Sequence, residues 1–480
     1  MKRKLIALAT VAACLISPLS GVPLPGRTQT VSAAEEAVTG DFVIEDGVLT
    51  EYTGIKPVVK IPEGVREIAR GAFTNKQGIE KVIFPSTLYS IGSNAFNGCT
   101  ALTSVEMPYR LREIGWGAFQ ECEKLHTLDL SMTQIEIINQ STFKGCTSLT
   151  EVILPDTVGI ISREAFSDCT YLGKINLPEG LTAIRREAFE ECTSLVAIEL
   201  PDSLQYLGAR AFEACQSLQS VRIPAGIKTL PERVFYEDYN IKNMYLPDTL
   251  CEIGEGALFT GDLNGPASIR GTLEELYIPE SVEHIYRTKR YLNQSHGLAK
   301  FSGIERVLGK KGSYAEKYEK SMENVEISQP GLDESLTDTD LAFVAVEDNA
   351  VIHFDSCGGR ILNESSSKKG IIGQMYGKLP VPALKGYTFA GWYQDKALQV
   401  KAKTTTLITE AETTLYAKWE KEEEKEEVYQ GNVTDFTIEE GVLKKYTGKE
   451  SVVIVPEQVV KIGIGAFSEN ESVRKIVLPE

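Results

Sequence analysis

The chain has 480 residues, 42% of them hydrophobic and 24% charged, which is apolar material for about three domains and too much for wholesale disorder. Its 50 Lys and Arg stand against 67 Asp and Glu, a net charge of −17, so it lacks the basic excess that binding to a nucleic-acid backbone relies on. Beyond the N-terminus no run of about 18 apolar residues occurs, and no later segment is expected to span a membrane.

The first 34 residues read as an export signal. Met1-Lys2-Arg3-Lys4 is a basic start, Leu5 to Leu19 is apolar, and Ser32-Ala33-Ala34 offers the small residues of a cleavage site before Glu35. Val11-Ala12-Ala13-Cys14 also looks like a lipobox, although the apolar run before Cys14 is very short and Leu15-Ile16 continues it. The mature chain is therefore expected outside the cell, secreted or held at a bacterial cell surface or envelope.

A repeat follows. Phenylalanines fall at Phe73, Phe96, Phe119, Phe143, Phe166, Phe189, Phe212, Phe235 and Phe259, at intervals of 23 or 24 residues. Ala usually precedes the Phe, Cys follows it by three at six positions, and a strand-like Leu-x-x-Ile-x-Leu-Pro segment recurs between, as in Leu149–Pro155 and Leu172–Pro178. One such unit cannot bury its own apolar residues. Stacked neighbours can, so the pattern predicts a parallel-stranded right-handed solenoid with one main strand per coil and Pro ending each strand.

These residues strongly resemble the BspA-like subclass of leucine-rich repeats, found on bacterial and some protozoan surface proteins. The resemblance covers 41–328 and includes Lys311 to Tyr318, which looks like that family's C-terminal cap. It departs from the pattern at Ser131, where Pro is expected, and between Thr260 and Gly271, where an insertion delays the next strand. The resemblance implies adhesion to host matrix or to other cells.

After a polar joint at 329–340, residues 341–419 lose the period. Gly358-Gly359, Leu379-Pro380, Gly386-Tyr-Thr-Phe-Ala-Gly-Trp392 and Leu415-Tyr-Ala-Lys-Trp419 are similar to the Listeria-Bacteroides repeat, the internalin-type B-repeat, which implies a small α+β module of β-grasp fold. Phe354, Tyr387, Phe389, Trp392 and Trp419 are expected to form its core. A charged linker spans 420–434, and 435–480 repeats the start of the solenoid at an offset of 394, Phe467 matching Phe73. This second block is under two coils long, so a longer protein is expected, with any wall anchor in the further part.

Cys99, Cys122, Cys146, Cys169, Cys192 and Cys215 share one phase and should line up as a column. Strand spacing of about 5 Å would permit bridges by distance, but parallel Cβ vectors disfavour the dihedral, so buried thiols are expected rather than a disulfide ladder. His126, His284, His296 and His353 fit no metal motif, and neither a nucleophile elbow nor a phosphate loop occurs. No enzyme activity, cofactor or metal is expected of these residues.

What remains is a surface. The residue before the last apolar position of each strand should point outward, giving Ile83, Glu106, Asp129, Ile153, Asn176, Glu199, Arg222, Tyr245 and Tyr277 in successive coils. The column ends in residue types enriched at binding hot spots. A partner, a host matrix or cell-surface protein or glycan, is expected to dock over Arg222, Tyr245 and Tyr277, with Glu199, Asn176, Asp129 and Glu106 as the extension of that face, on a monomeric protein. Two other readings stay open: a structural spacer that displays a further domain, and the targeting arm of an enzyme lying beyond residue 480.

Overall fold

The computed structural model describes residues 40–258, 260, 271–286, 304–322, 342–362, 364–421, 428–429, 435–439 and 441–448, then 452–456, 459–463, 465–468, 470, 473 and 475–477. The export signal, the joint at 329–340, His296 and Phe259 lie outside them.

The described residues between 42 and 286 wind into a solenoid whose main strands are short and parallel. Strands such as Lys81–Ile83, Ser104–Glu106, Thr127–Asp129 and Glu151–Ile153 repeat every coil. They pair in register with the equivalent residue one coil away, Val82 with Val105 and Leu128 with Val152. Each coil also carries a second strand of two residues, such as Ser90–Ile91 and Glu113–Ile114, in its own parallel ladder. This second ladder lies beyond what the one-strand pattern predicts. Its β-period is too short to register in the sequence, since only one Ile per coil faces inward.

Between the ladders runs a continuous core from Leu49 to Tyr318. Its spine is a stack of rings: Phe73 through Phe235 sit 4.7 to 5.7 Å apart, centroid to centroid, with interplanar angles of 14° or less. Tyr52 caps the stack at 5.1 Å from Phe73. Two residues to either side of each ring the backbone is left-handed, as at Asn94 and Gly98, Glu187 and Glu191, or Arg210 and Ala214. Such φ values cost a side-chain-bearing residue about 1 kcal/mol or more, and burial of the ring between them compensates. One coil after Phe235, Leu258 is buried after Ala257 and two residues past left-handed Gly256.

The six cysteines form the expected column. All are buried and unbridged, and each Sγ donates to a phenylalanine carbonyl one coil back, from Cys99 to Phe73 at 3.2 Å through Cys215 to Phe189 at 3.2 Å. Burial pushes the Cys99 and Cys146 thiols up to about 12. One coil further, the same position is Asp238, fully buried and with neither carboxyl oxygen hydrogen-bonded. Loss of solvent drives its pKa well above the ordinary carboxylate value.

The solenoid sheet does not stop at the cap. Strand Arg306–Gly309 adds to Glu275–Tyr277, helix Tyr314–Met322 covers the end, and Ala342–Ala345 then pairs in parallel with Arg306–Gly309. That last strand, grouped by sequence with the module, is thus the final rung of the solenoid. The module itself is a five-stranded sheet ordered Ser367–Gly370, Ala350–Asp355, Glu412–Lys421, Tyr387–Tyr393, Lys401–Ala402, with its central pair parallel. Residues 371–386 form turns and short bridges. Phe354, Phe389, Trp392 and Trp419 make its core, Trp392 donating to the Pro380 carbonyl at 2.7 Å, whereas Tyr387, at the start of its strand, is exposed. The second block reproduces the first: hairpins Phe42–Glu45/Val48–Tyr52 and Phe436–Glu439/Val442–Tyr446 share a bulge at the same place.

Two outcomes check the interior. Iodoacetamide applied to the native protein should label Cys251 and Cys357 and leave the six column cysteines unmodified until denaturant is added. For Asp238, whose folded pKa is raised, the wild type keeps its full stability below about pH 4 and loses it as pH climbs toward that raised value. Asp238→Cys should therefore melt higher than wild type at pH 7, by about 1–3 kcal/mol in stability, with the gap closing toward pH 4; a pH-independent gap would contradict a buried protonated Asp238.

Candidate functional site

The outward column falls into two parts. In the first, polar side chains bond locally. Glu106 pairs with Lys81 at 3.3 Å. Asp129 accepts from the Ser131 amide at 2.9 Å, and hydrogen bonds from Ser131 hold its carboxyl below the usual range. That contact accounts for the missing proline, because a Pro there has no N–H to give. Asn176 closes the ladder with its amide, bonding the Leu154 N–H at 2.6 Å and the Leu154 carbonyl at 3.1 Å.

In the second part the column meets the module. Glu199 and Arg222 are exposed, Tyr245 and Tyr277 half-buried. The Arg222 guanidinium lies 5.6 Å from the Tyr245 ring centroid, a cation–π contact across neighbouring coils whose strands pair Arg222 with Tyr245. Burial pushes the Tyr277 phenol up to about 12, so it stays a neutral hydroxyl at working pH.

The module is held to the solenoid by the residues that follow the strand-ending prolines. Asp202 accepts from the Thr404 amide at 2.9 Å and from its hydroxyl at 2.5 Å. Lys403 pairs with Glu179 at 2.5 Å, which raises the lysine pKa. Asp248 takes the Lys368 ammonium and the Lys378 amide, the latter at 3.0 Å. Gly377, left-handed at φ 65°, lets backbone come against Asp248, and a Cβ there would strike the carboxylate.

So placed, the module's turns at 371–377 and 403–409 overhang the sheet and leave two clefts on it. One, of 540 Å³, lies between Glu199, Arg222 and Ser220 below and Gln394, Lys403 and Thr405 above. The other, of 620 Å³, lies between Asn243, Tyr245, Glu275, Tyr277 and Arg306 on the sheet and Gln374 on the module. Glu199, Arg222, Tyr245 and Tyr277 thus come together along one roofed groove, while Glu106, Asp129 and Asn176 line neither cleft. Sequence reasoning missed Gln374, Lys403, Arg306 and the docking row Glu179, Asp202, Asp248. Acidic residues also follow prolines in coils with no module above them, as at Glu63 and Asp156, so that signal is not diagnostic.

Chemically the groove offers aromatic faces, amides, hydroxyls and charges of both signs. No group of three or more His, Cys, Asp or Glu side chains arranged to hold a metal occurs among the described residues.

The architecture is a leucine-rich-repeat solenoid carrying a small β module. Residues 55–173 and 159–291 match the family model for the BspA type leucine rich repeat region, in six copies, and residues 351–418 match that of the Listeria-Bacteroides repeat domain. The chain is thus a BspA-type leucine-rich repeat protein with a Listeria-Bacteroides repeat module. Among solved structures, a leucine rich cell surface protein from Faecalibacterium prausnitzii is 23% identical, with 56% of this chain and 86% of that one covered at a TM-score of 0.39. A leucine-rich repeat protein from Eubacterium ventriosum is 25% identical over 36% of this chain and half of that one, at 0.34. The leucine-rich repeat protein of T. pallidum is 27% identical over 44% of this chain and 80% of that one, at 0.25. No curated protein matches the chain.

The docking has a local readout. In Asp202→Ala/Asp248→Ala the amides of Thr404 and Lys378 should exchange hydrogen at least tenfold faster, while those of Val351 and Phe354 in the module core keep their rates. Unchanged protection at both docking amides would show that the module does not rest on the solenoid in this way.

Proposed function

We propose that this is an exported, non-catalytic binding protein of the cell surface, monomeric, that captures a host matrix or cell-surface protein or glycan in the roofed groove. The observation that carries the reading is the run Arg222, Tyr245, Tyr277 on successive coils, half-covered by a second domain. Tyr presents a large contact area with little side-chain entropy to lose, and Arg adds charge and hydrogen bonds, so together they make an economical recognition surface. A site at a domain interface is also where ligand clefts most often form. The BspA-type repeat region supports the surface assignment through the resemblance alone. A solenoid keeps its core while its outward columns vary, so fold does not name the partner.

A spacer role has one observation in its favour. The hairpin Phe436–Glu439/Val442–Tyr446 starts a second block on the first one's plan, as a tandem array would.

The test is a binding screen of the chain from Glu35 onward against matrix proteins, mucins and envelope glycans, with the Arg222→Ala/Tyr245→Ala/Tyr277→Ala variant alongside. Saturable binding that the variant weakens by about 30-fold or more, as loss of a hot spot does, is the expected result. A folded variant that binds as tightly as wild type would remove the groove from the account, and no binding by either would favour the spacer.

A further inference from the structure

Taking the groove as a binding site, we propose that its larger cleft, between Tyr245, Tyr277 and Gln374, takes a neutral oligosaccharide. The cleft has the size of a small-ligand site, 620 Å³. Its floor carries Tyr245 and Tyr277, both half-buried, on strands of neighbouring coils. The exposed ring carbons of the two tyrosines offer an apolar surface to the C–H face of a pyranose ring.

The walls are made of hydrogen-bonding groups rather than of one charge. The side-chain amides of Asn243 and Gln374 both donate and accept, the Thr272 hydroxyl, whose proton goes to the Tyr239 and Ile241 carbonyls, can accept, and Glu274 accepts. Lys242 and Arg306 balance Glu274 and Glu275, and Arg306 is already paired with Glu275. Sulfated or sialylated chains would need a net positive cleft, and cationic chains a net negative one. Neither is present, whereas mixed donors and acceptors suit hydroxyl groups.

The backbone argues against a peptide. Strand Asn243–Tyr245 and strand Glu275–Tyr277 belong to separate ladders, with a seam between them. The seam has no room for an added strand: Cα atoms of the two strands approach within 8 Å across it, and inserting a strand needs about 9–10 Å, twice the strand spacing. What the seam exposes is therefore side chains.

The experiment is titration of the chain from Glu35 onward with cellotetraose and chitotetraose, and with a heparin-derived tetrasaccharide as the anionic control, followed by calorimetry. At least one neutral tetrasaccharide should bind, with Tyr277→Ala weakening it tenfold or more and Tyr277→Phe, which keeps the ring, weakening it less. Gln374→Ala, on a turn of the module and away from both cores, should weaken it as well, so a folding defect in the tyrosine variant cannot imitate the result. Binding of the anionic probe alone, or neutral binding indifferent to both Tyr277→Ala and Gln374→Ala, overturns the inference. If a matrix protein binds through Arg222, Tyr245 and Tyr277 while neither neutral sugar binds, the sugar is wrong and the broader function stands; if nothing binds, both are lost.

Discussion

Everything in this molecule depends on one ring being placed on the next. A coil of 23 residues has almost no core of its own, and its stability comes from the faces it shares with the coils before and after. The phenylalanine stack sets that shared face. Each ring is locked by left-handed backbone two residues to either side, each following Phe amide bonds the carbonyl one coil along, and the strands are thereby held in register. Once the rings are stacked, every other position of the repeat becomes a column: thiols on one, inward Leu and Ile on others, and the outward residues that form the groove.

The departures from the repeat carry the remaining information, and they gather toward one end. Asp238 takes the place of a thiol, and extra residues after Thr260 lengthen the coil in the sequence. The groove with its two tyrosines lies on the neighbouring coils, and the module docks at Glu179, Asp202 and Asp248. A regular solenoid with uniform coils would present an open sheet; the module's overhang turns it into a cleft. Positions where local consistency fails are where function is to be looked for. Not every departure is of this kind. Ser131, bonded to Asp129, repairs a turn and lies far down the column from the groove.

The solenoid was legible because its signal is repeated: one Phe and one Leu-x-x-Ile-x-Leu run per coil identify ring column, strand and outward phase together. The same redundancy located Arg222, Tyr245 and Tyr277 on one line. The second ladder was not legible, since two residues per coil make no period of their own. The roof of the groove was not legible at all. Asp202 and Thr404 are 202 residues apart, and Asp248 and Lys368 are 120 apart. Such pairs follow from how two finished folds meet, and neither fold's sequence pattern contains that.

The most direct test of the account is whether the module sits where the groove requires. With Cys251 and Cys357 changed to Ser and the column thiols buried, Asp202→Cys/Thr404→Cys places two thiols where a carboxylate and a hydroxyl now touch. Mild oxidation should convert the monomer almost completely to an intramolecular disulfide, seen as loss of both free thiols at unchanged mass by native mass spectrometry apart from two hydrogens. Persistence of both thiols under conditions that oxidise a solvent-exposed cysteine pair would mean that the module does not roof the sheet, and the groove would not exist.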